Sequence, residues 1–265
     1  MVDQTRSWTD DLSMNVVFPH TLDTERLPQI GLVVLKSDET IERDFRDLLP
    51  RTVELLVTRV PAGDELTLDN LTQIQNHLRE AVGLFPTGVD FAALAYGCTS
   101  GTAVLGVPRV EALLHDAANT REVSNPLSAL LAASEALGVR RIGVLSPYSQ
   151  PVSDRLCGTL GEHGLEVAAC GSFAVPHEAM VVRIDAGSIL FGAAQLARQA
   201  HFDALFLSCT NLRTLGLLER LEEQLGVPVM SSNQVLAWHL MQQLGIETEG
   251  PGRLFRTGSR AVVSA

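Results

Sequence analysis

The chain has 265 residues, 46% of them hydrophobic, and a formal net charge of −11, enough length for one large or two modest domains with ordinary cores. That charge, with no Lys/Arg cluster, argues against a nucleic-acid surface, and no apolar run reaches membrane-spanning length. The opening MVDQTRSWTDDLSMN lacks the basic and apolar regions of a secretory signal, and the four cysteines show no C-x-x-C spacing, so a reducing cytoplasm with free thiols is expected.

Residues 1–29 precede the first strand pattern and read as an N-terminal extension. From there short β-rich runs alternate with longer helical patterns. IGLVVL (30–35) is followed by the helical pattern ETIERDFRDLL (39–49), and then come VELLVTRV (53–60), FAALAYG (91–97), RIGVLS (141–146), LEVAACGSF (165–173), DALFLSC (203–209) and VPVMSS (227–232). Most of these strands are almost continuously apolar, as strands covered by helices on both faces must be. The alternation predicts an α/β fold with parallel sheets.

Three landmarks recur in order along the chain. QIGLVVL from Gln29 matches RIGVLS from Arg141, VDFAALAYGCTS matches HFDALFLSCTN, and VSNPLSALLAASEALG from Val123 matches SSNQVLAWHLMQQLG from Ser231. Gly31 to Cys98 spans 67 positions and Gly143 to Cys209 spans 66, so the two halves are duplicates. The first copy of the third landmark leads into the strand at Arg141, whereas the second has no strand after it. The C-terminal helix is therefore expected to pack back on the first lobe. The predicted architecture is two pseudo-symmetric lobes, each a short parallel sheet flanked by helices, comprising 30–125 plus 231–265 and 126–230, with the active site in the cleft between them.

The duplication places Cys98 and Cys209 each just after an apolar strand and ahead of a helical pattern, the carboxyl-end position where open α/β sheets bind ligands. Backbone N–H groups at a helix start favour a thiolate and bind carboxylates, and Thr99, Ser100, Thr210 and Asn211 add donors. Two such half-sites facing each other would hold a small carboxylate with a thiol on either side, which suits proton transfer between faces or thiolate addition followed by protonation of the neighbouring carbon. Cys157 and Cys170 have no partner in the repeat and read as buried filler. The histidines lack ligand spacing, so no metal is expected; nucleotide-binding and serine-hydrolase motifs do not occur.

GCTSGT, SCTNLRT and SSNQVLAWH resemble the aspartate/glutamate racemase superfamily, specifically its maleate cis–trans isomerase and arylmalonate decarboxylase branch, over Gln29 to Gly245. The resemblance implies a cofactor-independent isomerase, forming a homodimer or larger homo-oligomer. Cys98 would be the nucleophile that adds to the double bond, and Cys209 the residue that handles the proton. Decarboxylases of this branch keep only the second-lobe cysteine, so having both argues against simple decarboxylation. Tyr148, in SPYSQPVSD, matches a substrate-binding tyrosine. Two positions depart from the isomerase pattern: Asp38 stands where an asparagine contacts a substrate carboxylate, and Glu178 falls near a second asparagine. Asp38 also reads as an N-cap of the helix that follows it. Acidic groups there disfavour a dianion and favour a nitrogen-bearing carboxylate. LKSDETIERDF resembles an ectoine-utilisation sub-branch, which agrees with that preference. Amino-acid or hydantoin-type racemisation, and a non-catalytic small-ligand binding protein, are the rival readings of the same cleft.

Overall fold

The computed structural model describes residues 18–257 apart from residues 24 and 66. Of the expected N-terminal extension, residues 1–17 lie outside the described residues, as do residues 258–265 of the segment assigned to the first lobe.

In chain order the first half runs β1 (Gln29–Leu35), α1 (Ile41–Leu48), β2 (Glu54–Val60), α2 (Leu68–Gln73), α3 (Gln75–Val82), β3 (Phe91–Gly97), α4 (Thr99–Leu105), α5 (Val107–Ala117), β4 (Thr120–Ser124) and α6 (Pro126–Leu137). The second half runs β5 (Arg141–Ser146), α7 (Gln150–Glu162), β6 (Glu166–Ser172), α8 (Glu178–Val181), α9 (Ala186–Gln199), β7 (Ala204–Leu207), α10 (Leu218–Leu225), β8 (Val229–Ser231), α11 (Ser232–Leu244) and α12 (Arg253–Arg256). The strands form two four-stranded sheets of the same order, β2-β1-β3-β4 and β6-β5-β7-β8, with every pairing parallel. The fold is the α/β architecture the alternating pattern predicts. No helix among the described residues is long and apolar enough to cross a membrane.

Every residue of the inner strands β1, β3 and β7 is buried, which explains their unbroken apolar sequences. β4 was not among the expected strands. Its sequence TREVS lies at a sheet edge with three of its five residues in contact with solvent, so it lacks the apolar run that marks the others.

The two copies of the third landmark become α6 and α11, which pack against each other; α11 also lies on α1, β3 and β4. Both helices end at a left-handed glycine, Gly138 (φ 69°) and Gly245 (φ 64°). They begin differently. Asn125 caps α6 by accepting from the amides of Leu127 and Ser128, both at 3.0 Å. In the second copy Ser231, two positions earlier in the repeat, caps α11 through a capping box with Gln234. Ser232 and Asn233 thus enter the first turn of α11, at the seam between the sheets.

Candidate active site

Cys98 is the N-cap of α4. Its backbone is extended (φ −151°, ψ 112°), and its Sγ accepts a hydrogen bond from the Gly101 amide at 3.3 Å, with the Ser100 hydroxyl 3.6 Å away. Gly101 is needed for this approach. A Cβ there would meet the Tyr96 hydroxyl and lie 3.1 Å from Cys98 Sγ. Burial raises the Cys98 thiol to about 11; Ser100 and the Gly101 amide oppose that rise, and Glu178 adds to it.

Cys209 follows β7 but differs in setting. It sits at φ +137°, a region side chains rarely occupy, and no α-helix starts beside it. A helical pattern was expected to follow each cysteine directly; in this copy α10 begins only at Leu218. The intervening loop is instead spent on contacts with the first lobe. Thr210 Oγ1 donates to the Gly97 carbonyl at 3.2 Å, and the Thr40 hydroxyl donates to the Asn211 carbonyl at 2.9 Å. Cys209 is held well above the ordinary thiol range, by burial first and by Glu178 next.

The two half-sites meet at Ser232. Its Oγ accepts from the Thr99 hydroxyl at 2.7 Å and from the Cys209 amide at 3.0 Å, so one hydroxyl joins the residue after one thiol to the backbone of the other. Tyr148 is fully buried beside them, accepting from the Ser208 hydroxyl at 3.4 Å. Burial raises its phenol, and Cys209, Cys98 and Glu178 all act on its charge.

Three buried carboxyl groups lie near the seam, and two of them, Glu178 and Asp38, act on Cys209. Asp38 Oδ1 accepts from the amides of Thr40 and Ile41, both at 2.8 Å, while Oδ2 is buried without a partner. The N-cap of α1 is Thr40 rather than the expected Asp38; Asp38 supports that start from two positions earlier and keeps one buried oxygen without a partner. Glu178 is 3% exposed, and burial followed by repulsion from Asp38 lifts it to about 7. Asp44 accepts from Asn233 Nδ2 at 2.8 Å and is raised to about 6, mainly by burial. Burial raises the Asp38 carboxyl, against the opposing pull of the Ile41 and Thr40 amides and of the Arg59 charge; Arg59 itself gives Nη1 to the Asp38 carbonyl at 2.9 Å and Nη2 to Glu42.

All nine residues singled out in the sequence are buried at this seam. Their hydrogen bonding separates them. Asn211 spends its amide on loops: Nδ2 donates to the carbonyls of Glu178 (3.2 Å) and Ser37 (3.4 Å), and Oδ1 accepts from the Glu39 amide (2.9 Å). Sequence reasoning passed over Ser232, Asn233, Asp44 and Tyr96. The first two lay inside the quoted SSNQ landmark, whose repetition was the available signal. The expectation that Cys157 and Cys170 are buried filler fails: Cys157 is half-buried and Cys170 exposed, because β6 is an edge strand.

Twin parallel sheets of matching strand order, each followed by a buried cysteine after its third strand in the chain, define a two-lobed α/β protein. The arylmalonate decarboxylase family signature matches residues 109–255, more than half of the chain, and the chain belongs to that family. It is 28% identical to arylmalonate decarboxylase of Bordetella bronchiseptica over 241 residues, covering 86% of this chain and 96% of that protein. It is 26% identical to maleate isomerase of Nocardia farcinica over 256 residues, covering 89% and 98%. Among solved structures, a mutant Nocardia farcinica maleate cis-trans isomerase with a covalently bound succinylcysteine intermediate superposes with a TM-score of 0.75 at 22% identity, covering 88% of this chain and all of that one.

Proposed function

We propose that this chain is a cofactor-independent isomerase acting on a small carboxylate through Cys98 and Cys209. The observation that carries the proposal is that two buried cysteines, from equivalent strand ends of duplicated lobes, are linked through Ser232, which accepts from the hydroxyl of Thr99 beside one and from the amide of the other. Kinship with maleate isomerase and arylmalonate decarboxylase supports a carboxylate substrate, and the succinylcysteine intermediate of the similarly folded Nocardia farcinica enzyme supports a cysteine nucleophile.

Cys98 is the nucleophile. As a thiolate it adds to an unsaturated carbon of the substrate, and the displaced electron pair collects on the neighbouring carbon, where Cys209 delivers a proton. The bond between those carbons is then single and rotates. Return of the proton to Cys209 and expulsion of Cys98 complete a cis–trans isomerisation. Thr99, Ser100, Thr210 and Tyr148 are the substrate-side neighbours, and Asn211 holds the Asp38 and Glu178 loops in position.

The substrate carries a cationic nitrogen. Asp38, Asp44 and Glu178 make the seam acid-rich, and Asp38 Oδ2 has no partner. A second carboxylate placed there would be repelled; a cation would be held. It would also offset the Glu178 charge that opposes Cys98 ionisation, so binding would sharpen the nucleophile. Cyclic amidines of the ectoine type and amino acids meet this requirement, and the likeness of LKSDETIERDF to ectoine-utilisation proteins agrees with it. Amino-acid or hydantoin-type racemisation is the second reading: one cysteine, as thiolate, takes the proton from a single carbon while the other, as thiol, delivers its own to the opposite face.

The test is a thermal-shift screen of small diacids, amino acids and cyclic amidines, followed by turnover of each hit by the parent, Cys98→Ser and Cys209→Ser. A nitrogen-bearing hit is expected, with turnover lost in both variants by at least about a thousandfold. A response to maleate alone sinks the nitrogen requirement, and full activity in either variant sinks the two-thiol mechanism. Solvent deuterium appearing at the α carbon of recovered substrate would select racemisation.

A further inference from the structure

Away from the seam, Cys157 on the half-buried face of α7 and Cys170 on edge strand β6 face each other with their sulfurs 3.1 Å apart. A disulfide needs about 2.05 Å, so closing the gap takes about 1 Å of side-chain adjustment between elements already packed together. We propose that Cys157 and Cys170 form a site of reversible oxidation, closed to an intramolecular disulfide by a small-molecule disulfide of the glutathione class.

The two sulfurs have unequal roles. Cys170 reaches solvent, and the hydrogen bond from Cys157 holds its thiol below the ordinary range, while Cys157 is held above it. Cys170, as thiolate, attacks one sulfur of the oxidant's S–S bond and expels the other half as a thiolate. Cys157 then loses its proton, attacks the Cys170 sulfur and expels the second half. One S–S bond breaks and one forms; the two protein sulfurs are oxidised, and the oxidant leaves as two thiols carrying the two protons.

The bond would act on the lobe seam through α7. On the neighbouring turns of that helix, Arg155 Nε and the Thr159 hydroxyl donate to the Ala103 carbonyl of α4, at 2.9 and 3.1 Å, and Cys98 heads α4. At the other end of the clamp, two residues past Cys170, the Ser172 hydroxyl donates to the Tyr148 carbonyl. Pinning α7 to β6 therefore stiffens the wall that carries Tyr148 and supports the Cys98 helix.

The sequence makes the experiment direct, because no Lys or Arg lies between Arg155 and Arg183, so a single tryptic peptide, 156–183, holds both cysteines. Cys98 and Cys209 fall in peptides 80–109 and 199–213. The full-length protein is equilibrated with mixtures of oxidised and reduced glutathione, denatured, alkylated and digested. The expected result is a 156–183 peptide lighter by two hydrogens and free of alkyl groups, while the Cys98 and Cys209 peptides are alkylated. The oxidised protein should melt about 5 °C higher, reversibly on reduction. In Cys157→Ser, Cys170 should retain one glutathione. A fully alkylated 156–183 peptide in the most oxidising mixture, glutathione persisting on Cys170 of the parent chain, or bonds linking separate chains would each overturn the proposal. An unchanged melting temperature in the oxidised protein would overturn the clamp.

Discussion

Replacing Glu178 by glutamine should make the protein more stable, and only above mildly acidic pH. Glu178 is buried, has no cationic partner among the described residues, and holds its proton up to about 7 against an ordinary 4.5. Below about pH 4.5 both the folded and unfolded chains carry that proton, and the carboxyl costs nothing. Between about 4.5 and 7 the unfolded chain gives up the proton more readily, so stability falls as pH rises through this window. At about 1.4 kcal/mol per pH unit the loss reaches about 3 kcal/mol at pH 8. Glu178→Gln keeps the shape and removes the ionisation. Urea unfolding of parent and variant at intervals from pH 4.5 to 8.5 should give matching free energies at the acid end and a variant about 3 kcal/mol more stable at the alkaline end. Curves that run parallel across the whole range would refute the argument that Glu178 is a strained buried acid.

Other changes test the geometry around the thiols. Gly101→Ala puts a methyl group against Cys98 Sγ and the Tyr96 hydroxyl, and should cost about 1–3 kcal/mol in unfolding free energy, measured by urea titration. Ser232→Ala leaves the Cys209 amide and the Thr99 hydroxyl without their shared partner; a loss of about 1–3 kcal/mol is expected, and thermal unfolding would detect it. Because Cys209 sits at φ +137°, Cys209→Gly should be about 1 kcal/mol more stable than Cys209→Ala, and equal urea midpoints would show that the backbone there is unstrained.

The apolar strands, the duplication and the two thiols were legible because each leaves a local mark: an unbroken run, a repeated word, a fixed spacing. β4 left none, since an edge strand with solvent on one side does not need apolar residues throughout. Asp44 looked like one more acid on a helix, and its burial depends on Asn233, distant in sequence, arriving at 2.8 Å. Cys170 looked like core because it lies in a strand of mostly small and apolar residues; whether β6 is inner or outer is decided by strand order, which a sequence does not display. Ser232 was quoted as part of a repeated word, yet its position follows from α11 starting earlier in the repeat than α6, a choice of cap rather than of pattern.

That unequal start has a wider meaning. Two identical halves assembled as a symmetric pair would give both sulfurs the same surroundings, and a reaction run forward from one face would run equally well from the other. Here one sulfur caps a helix from extended backbone and its counterpart follows its strand at a positive φ of 137°. Joining the copies in a single polypeptide lets the two sulfurs differ in backbone setting, and so gives the seam a polarity that a symmetric pair could not have.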